Sequence, residues 1–115
     1  MTFNSEHVSS ENLEFWRFVA HRARHHTDHV IQKLPHRDRH VIVEHYRHRH
    51  HVAPTILERT QKRFGQRLRR HLRVTLLTLP DDLAHDEERH IITILLKLLV
   101  AGTFDEFLNA VDDLD

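Results

Sequence analysis

Residues 40–74, HVIVEHYRHRHHVAPTILERTQKRFGQRLRRHLRV, crowd imidazole and guanidinium groups into one stretch. Imidazoles can ligate a divalent metal or act as conditional cations near neutral pH, and guanidinium groups can pair in bidentate fashion with phosphates. Histidines recur every four residues at His21, His25 and His29. They do so again through His36, His40, Glu44 and His48, a spacing at which two ligands on one helix can share an ion. If the first two helices pack antiparallel, His25, His29, His40 and His48 form the best zinc set. Read as conditional charge, His25, His26, His29, His48 and His50, flanked by Arg22, Arg24, Arg47 and Arg49, extend a basic surface when protonated. The charge reading is favoured, and no cofactor is expected. His71 reads as a hydrogen-bonded boundary residue of its helix.

The arginines set the dominant chemistry. Taking 100° per residue, Leu57, Phe64, Leu68, Leu72, Thr75 and Leu79 share one side of a helix. Arg59, Lys62, Arg63, Gln66, Arg69, Arg70 and Arg73 share the other, and Arg67 falls nearer the boundary. From Arg59 to Arg73 the stripe is about 21 Å long at helical rise, enough to meet successive backbone phosphates. Together with Arg47 and Arg49, these residues are the expected nucleic-acid-binding set.

The net charge of zero conceals a partition. Residues 1–20 carry Glu6, Glu11 and Glu14 against Arg17. Residues 81–115 carry ten acids against Arg89 and Lys97, whereas residues 21–80 carry fourteen Lys or Arg against Asp28, Asp38, Glu44 and Glu58. Such segregation is a footprint of a polyanionic partner; the competing reading is a basic middle neutralised by the chain's own acidic tail. The absence of cysteine excludes disulfides and thiolate chemistry. No signal peptide or membrane-spanning stretch is visible, so a cytoplasmic protein is expected, in the host cytoplasm if viral. Nucleophile motifs, phosphate-cradling glycine loops and an HExxH pair are missing, so no enzyme and no catalytic residue is expected.

These groups need elements to hold them, and the period of the apolar residues is helical throughout. We expect one all-α domain over residues 1–115, a bundle of about four to five helices with a long basic amphipathic helix, assembling as a homodimer. The basic segment is 21–80, and the C-terminal helices, 81–115, are acidic and apolar. Ser9 or Ser10 caps a first helix that runs to about Leu34 and is stopped by Pro35. Leu13, Trp16, Ala20, Ala23, Thr27, Val30 and Leu34 form its a/d seam. A second helix spans His36 to about His51, with a break or bend near 51–54, and a third runs to about Leu79. Asp81 or Asp82 caps a fourth, residues 83–101, apolar almost all round and therefore central or sandwiched by a partner. Gly102 ends it. A Thr103/Glu106 capping box opens a closing helix built on Phe104, Phe107, Leu108, Val111 and Leu114.

A heptad-seamed first helix and a long arginine-striped helix in a small cysteine-free chain resemble the nodavirus-type silencing suppressors, over roughly Glu11 to Leu79. That resemblance implies a helical homodimer that binds double-stranded RNA. The expected function is duplex nucleic-acid binding by shape and phosphate contacts, RNA ahead of DNA, with suppression of RNA silencing as its setting. The alternatives are an interaction or inhibitor protein, such as a phage or viral regulator, acting through the acidic 81–115 segment, and a histidine-based metal-binding protein.

Overall fold

A computed structural model describes residues 10–112, with side chains described from 13 to 110. Ser9 and Leu114, and the side chains of Ser10 and Val111, lie outside these described residues. Five α-helices follow in order: α1 (Ser10–Gln32), α2 (His36–Tyr46), α3 (Pro54–Thr78), α4 (Asp86–Ala101) and α5 (Phe104–Asp112). A 3₁₀ turn, Leu83–His85, precedes α4. The all-α bundle is as the helical periodicity requires.

The seam of α1 points inward from Ala20 onwards: Ala20, Ala23, Thr27, Val30 and Leu34 are buried. Burial extends beyond the a/d positions to Val19, His26 and Ile31, because α1 packs against α2, α3, α4 and α5 rather than against one partner helix. Near its start, Trp16 meets Phe107 at 5.8 Å between ring centroids, and Phe15 reaches His90 of α4 at 6.4 Å. Phe18, off the seam, stays exposed.

Helix α2 is shorter than its sequence pattern suggests, ending at Tyr46 instead of His51. No apolar side chain between Arg47 and His51 could anchor a further turn. The chain instead leaves through Arg49 at φ 58°, a left-handed conformation costing a non-glycine residue roughly 1–2 kcal/mol. Ala53 is extended before Pro54, which occupies the first turn of α3, so the proline begins a helix rather than bending one.

The fourth helical segment divides. Asp82 accepts hydrogen bonds from the His85 backbone N–H at 3.1 Å and from His85 Nδ1 at 2.6 Å, closing the 3₁₀ turn before α4 starts at Asp86. Gly102 ends α4 at φ 75°, and the Thr103 hydroxyl donates back to the Leu98 carbonyl at 3.3 Å. Ile91, Ile92 and Leu95 are fully buried, and α4 contacts α1, α3 and α5. Its apolar character is therefore largely accounted for inside one chain. Val100, 69% exposed, points outward.

Leu95→Ala should lower unfolding free energy by about 2–5 kcal/mol, since its site is closed on all sides, whereas Val100→Ala should change it by less than about 0.5 kcal/mol. Urea unfolding followed by circular dichroism checks both values. Equal effects at the two positions would contradict this burial pattern.

Candidate nucleic-acid interface

Helix α3 buries Thr60, Phe64, Leu68 and Leu72, a strict four-residue step that forms one edge of the core. The opposite side carries Arg59, Lys62, Arg63, Gln66, Arg70 and Arg73, all exposed. Arg67 is exposed as well and joins this surface rather than covering the core. Arg69 turns partly inward, and its Nε is shielded from solvent without a hydrogen-bond partner.

Between the end of α1 and α3 lies a groove of about 570 Å³. His29 and Lys33 line one wall, and Arg63, Gln66, Arg67 and Arg70 line the other, with His71 and Val74 toward one end. Among the described residues, no carboxylate lines it. Asp38 of α2, only 6% exposed, clamps Arg63: Nε donates to Oδ2 at 2.9 Å and Nη2 to Oδ1 at 2.7 Å. The Arg63 hydrogen bonds hold the Asp38 carboxyl below the usual carboxylate range. Of the stripe residues, Arg63 is thus already committed to a structural partner. Among the described residues, no ion pair joins Arg59, Lys62, Arg67, Arg70 or Arg73 to an acid.

Arg47 and Arg49 do not extend this stripe. Arg47 pairs with Asp28 of α1 and lines a small pocket with Tyr46, Phe64 and Leu108, while Arg49 donates to Asn109 of α5 at 3.3 Å. Nearby, the Tyr46 phenol donates to Asp105, and Gln61 donates to both at 3.1 and 3.2 Å. Burial, reinforced by Asp105, pushes the phenol's pKa far up and keeps it protonated.

Behind the groove, α1, α3 and α4 are joined by a polar network. Glu88 accepts two hydrogen bonds from Arg22, at 3.1 and 2.9 Å. It also lies 3.0 Å from His26 Nε2, and His26 Nδ1 lies 3.0 Å from His71 Nε2. Burial would raise the Glu88 carboxyl, but hydrogen bonds from Arg22 and His26 outweigh it and hold the group low. Ionised Glu88 can only accept, which assigns the tautomers: His26 carries its proton on Nε2, and His71 donates from Nε2 to His26 Nδ1. The His29 ring covers His71 at 4.7 Å.

His26 therefore cannot supply conditional charge at the surface, as its arginine-flanked position suggests. It is 4% exposed, and burial lowers its pKa despite the attraction of Glu88. Its i+3 and i+4 relation to Ala23 and Val30 was the sequence signal for the core side. His71 is half-buried and hydrogen-bonded, as its boundary position implies, with its pKa lowered by burial to about 4. Glu88 is the anchor of the network.

The four zinc candidates are not collected in one place. His25 and His29 are exposed on α1 and His40 is exposed on α2; His48 lies instead beside Glu44 and His50. His85, Glu88, His25, His29 and His71 do share a cavity of about 500 Å³, but Asp82 engages His85, and Arg22 and His26 engage Glu88.

The network has a pH signature. Because the folded imidazoles of His26 and His71 sit below their ordinary 6.5, the unfolded chain binds protons that the folded chain refuses. The stability they give is complete above about pH 6.5 and drains as pH falls toward 4. Thermal melts should show Tm falling between pH 7 and pH 5, with a shallower fall in His71→Gln; a rise in Tm over that window would contradict the network. No family model, curated protein or solved structure matches this chain.

Proposed function

We propose that this chain binds the backbone of duplex nucleic acid, RNA ahead of DNA, through the α1–α3 groove and the exposed basic side of α3. The observation that carries this reading is that, among the described residues, no carboxylate lines the groove and no ion pair engages Arg59, Lys62, Arg67, Arg70 or Arg73. Among the described residues of the acidic C-terminal segment, no carboxylate pairs with them. Glu88 is held by Arg22, Asp86 by Arg89, Asp82 by His85 and Asp105 by Tyr46 and Gln61. Guanidinium groups left in water beside one another retain a strong field for phosphates, and each phosphate they engage releases condensed counterions.

Contacts of this kind read shape and charge rather than base sequence. Among the described residues, Phe18 is the one large aromatic with a conspicuously exposed side chain, which argues against base stacking as the main attraction. A second copy would lengthen the basic surface, and exposed Leu77 and Leu83 at the α3–α4 turn offer it an apolar contact. Sequestration of duplex RNA by such a homodimer in the cytoplasm, in the manner of the silencing suppressors it resembles, is the setting this reading implies. No helix among the described residues is long and apolar enough to cross a membrane, which agrees with a partner met in solution.

Fluorescence anisotropy with a 20-base-pair RNA duplex, a DNA duplex and single strands tests the proposal. Arg67→Gln with Arg70→Gln should weaken binding to all duplex sequences alike, and should flatten the salt dependence by roughly 0.7 to 0.9 log units per lost contact. Arg63→Gln should change that slope less while lowering Tm, because Asp38 loses its partner. Unchanged affinity in a folded double variant, or no duplex binding at low salt, would overturn the proposal.

A further inference from the structure

The turn that ends α2 brings three potential ligands together. His48 N–H donates to the Val43 carbonyl at 3.1 Å and His50 N–H to the Glu44 carbonyl at 2.9 Å, so the chain folds back over the last turn of the helix. Arg49, between them, takes the left-handed conformation that makes this reversal. As a result the flanking imidazoles face one carboxylate. His48 Nδ1 lies 3.1 Å from Glu44 Oε1 and His50 Nδ1 lies 2.5 Å from Oε2. One ligand atom from each residue falls within 4.8 Å of the other two, and all three side chains reach solvent.

We propose that Glu44, His48 and His50 form a binding site for a borderline divalent transition-metal ion, of which Zn²⁺ is the representative. Two imidazole nitrogens and one carboxylate oxygen suit such an ion and not Mg²⁺ or Ca²⁺, which favour oxygen throughout. Bonds of roughly 2.0–2.2 Å in a tetrahedral arrangement place ligand atoms roughly 3.3–3.6 Å apart. The present separations need only small side-chain rotations to reach that range, with water in the fourth position. Each Nδ1 now donates its proton to Glu44; on ligation a neutral ring carries that proton on Nε2 instead, so no proton is gained or lost. The carbonyl end of α2 adds a favourable negative pole. Arg47 and Arg49 oppose the ion from the same turn, but Arg47 pairs with Asp28 and Arg49 reaches toward Asn109.

This site differs from the set His25, His29, His40 and His48, of which it retains only His48; Glu44 and His48 do share the four-residue spacing, and His50 joins them through the turn. It is independent of the nucleic-acid reading, and each can fail alone. The test is Zn²⁺ titration of the full chain by calorimetry, with imidazole nitrogen shifts followed by NMR. One saturable 1:1 step is expected, with the His48 and His50 Nδ1 resonances shifting. Affinity should fall at least about tenfold in Glu44→Gln, His48→Ala and His50→Ala, and should stay within about twofold in the His25→Ala/His29→Ala double variant. Arg49→Gly, which relaxes the turn and removes a cation, should bind as well or more tightly. No saturable step, a step that survives His48→Ala and His50→Ala, or loss of binding in the His25/His29 or Arg49 variants would overturn the assignment.

Discussion

Helix α3 has to serve as a wall of the core while carrying seven Lys or Arg residues against the single acid Glu58. Desolvating that much charge would cost more than the core could return, so the helix can bury only the narrow edge formed by Thr60, Phe64, Leu68 and Leu72. The rest of the fold follows from this division. α1, α2 and α4 pack along the apolar edge, and most of the cations are left facing water. Lys33, just past the end of α1, adds its charge across the groove from Arg67 and Arg70.

Two inward departures from that division are polar and tightly matched. Asp38 reaches Arg63 from α2 with two hydrogen bonds, and Glu88 gathers Arg22 and, through His26, His71. Buried networks of this kind add little net stability over apolar packing, but a half-satisfied one is costly, so each favours one alignment of its helices. The Glu88 network joins α1, α3 and α4, and the Asp38 clamp joins α2 to α3. Between them they fix the walls of the groove from behind, while the groove itself keeps its positive lining.

Much of this was legible in the sequence because helical period is a strong local signal. The α1 seam from Ala20 to Leu34, the apolar edge of α3 and the Gly102 end of α4 follow from spacing and turn chemistry, whereas Asp82 caps the 3₁₀ turn ahead of α4 and not α4 itself. What spacing could not give was long-range pairing. Nothing local to α3 marks Arg63 as different from Arg59, since its partner Asp38 lies on another helix. Likewise, the spacing of His26 from Ala23 and Val30 marks its core side but not its partners, His71 on α3 and Glu88 on α4. The early end of α2 depended on a left-handed Arg49, a conformation that favours glycine and that arginine does not advertise.

The outward charge of α3, proposed above as a binding surface for duplex phosphates, differs from a merely solvated face in what it contacts. Amide chemical-shift mapping of the folded chain with a short RNA duplex addresses it most directly. Shifts are expected to cluster at Lys33 and along residues 59–73, to weaken together as salt is raised, and to be small on α5. Shifts centred on α5, or none at low salt, would contradict the proposal.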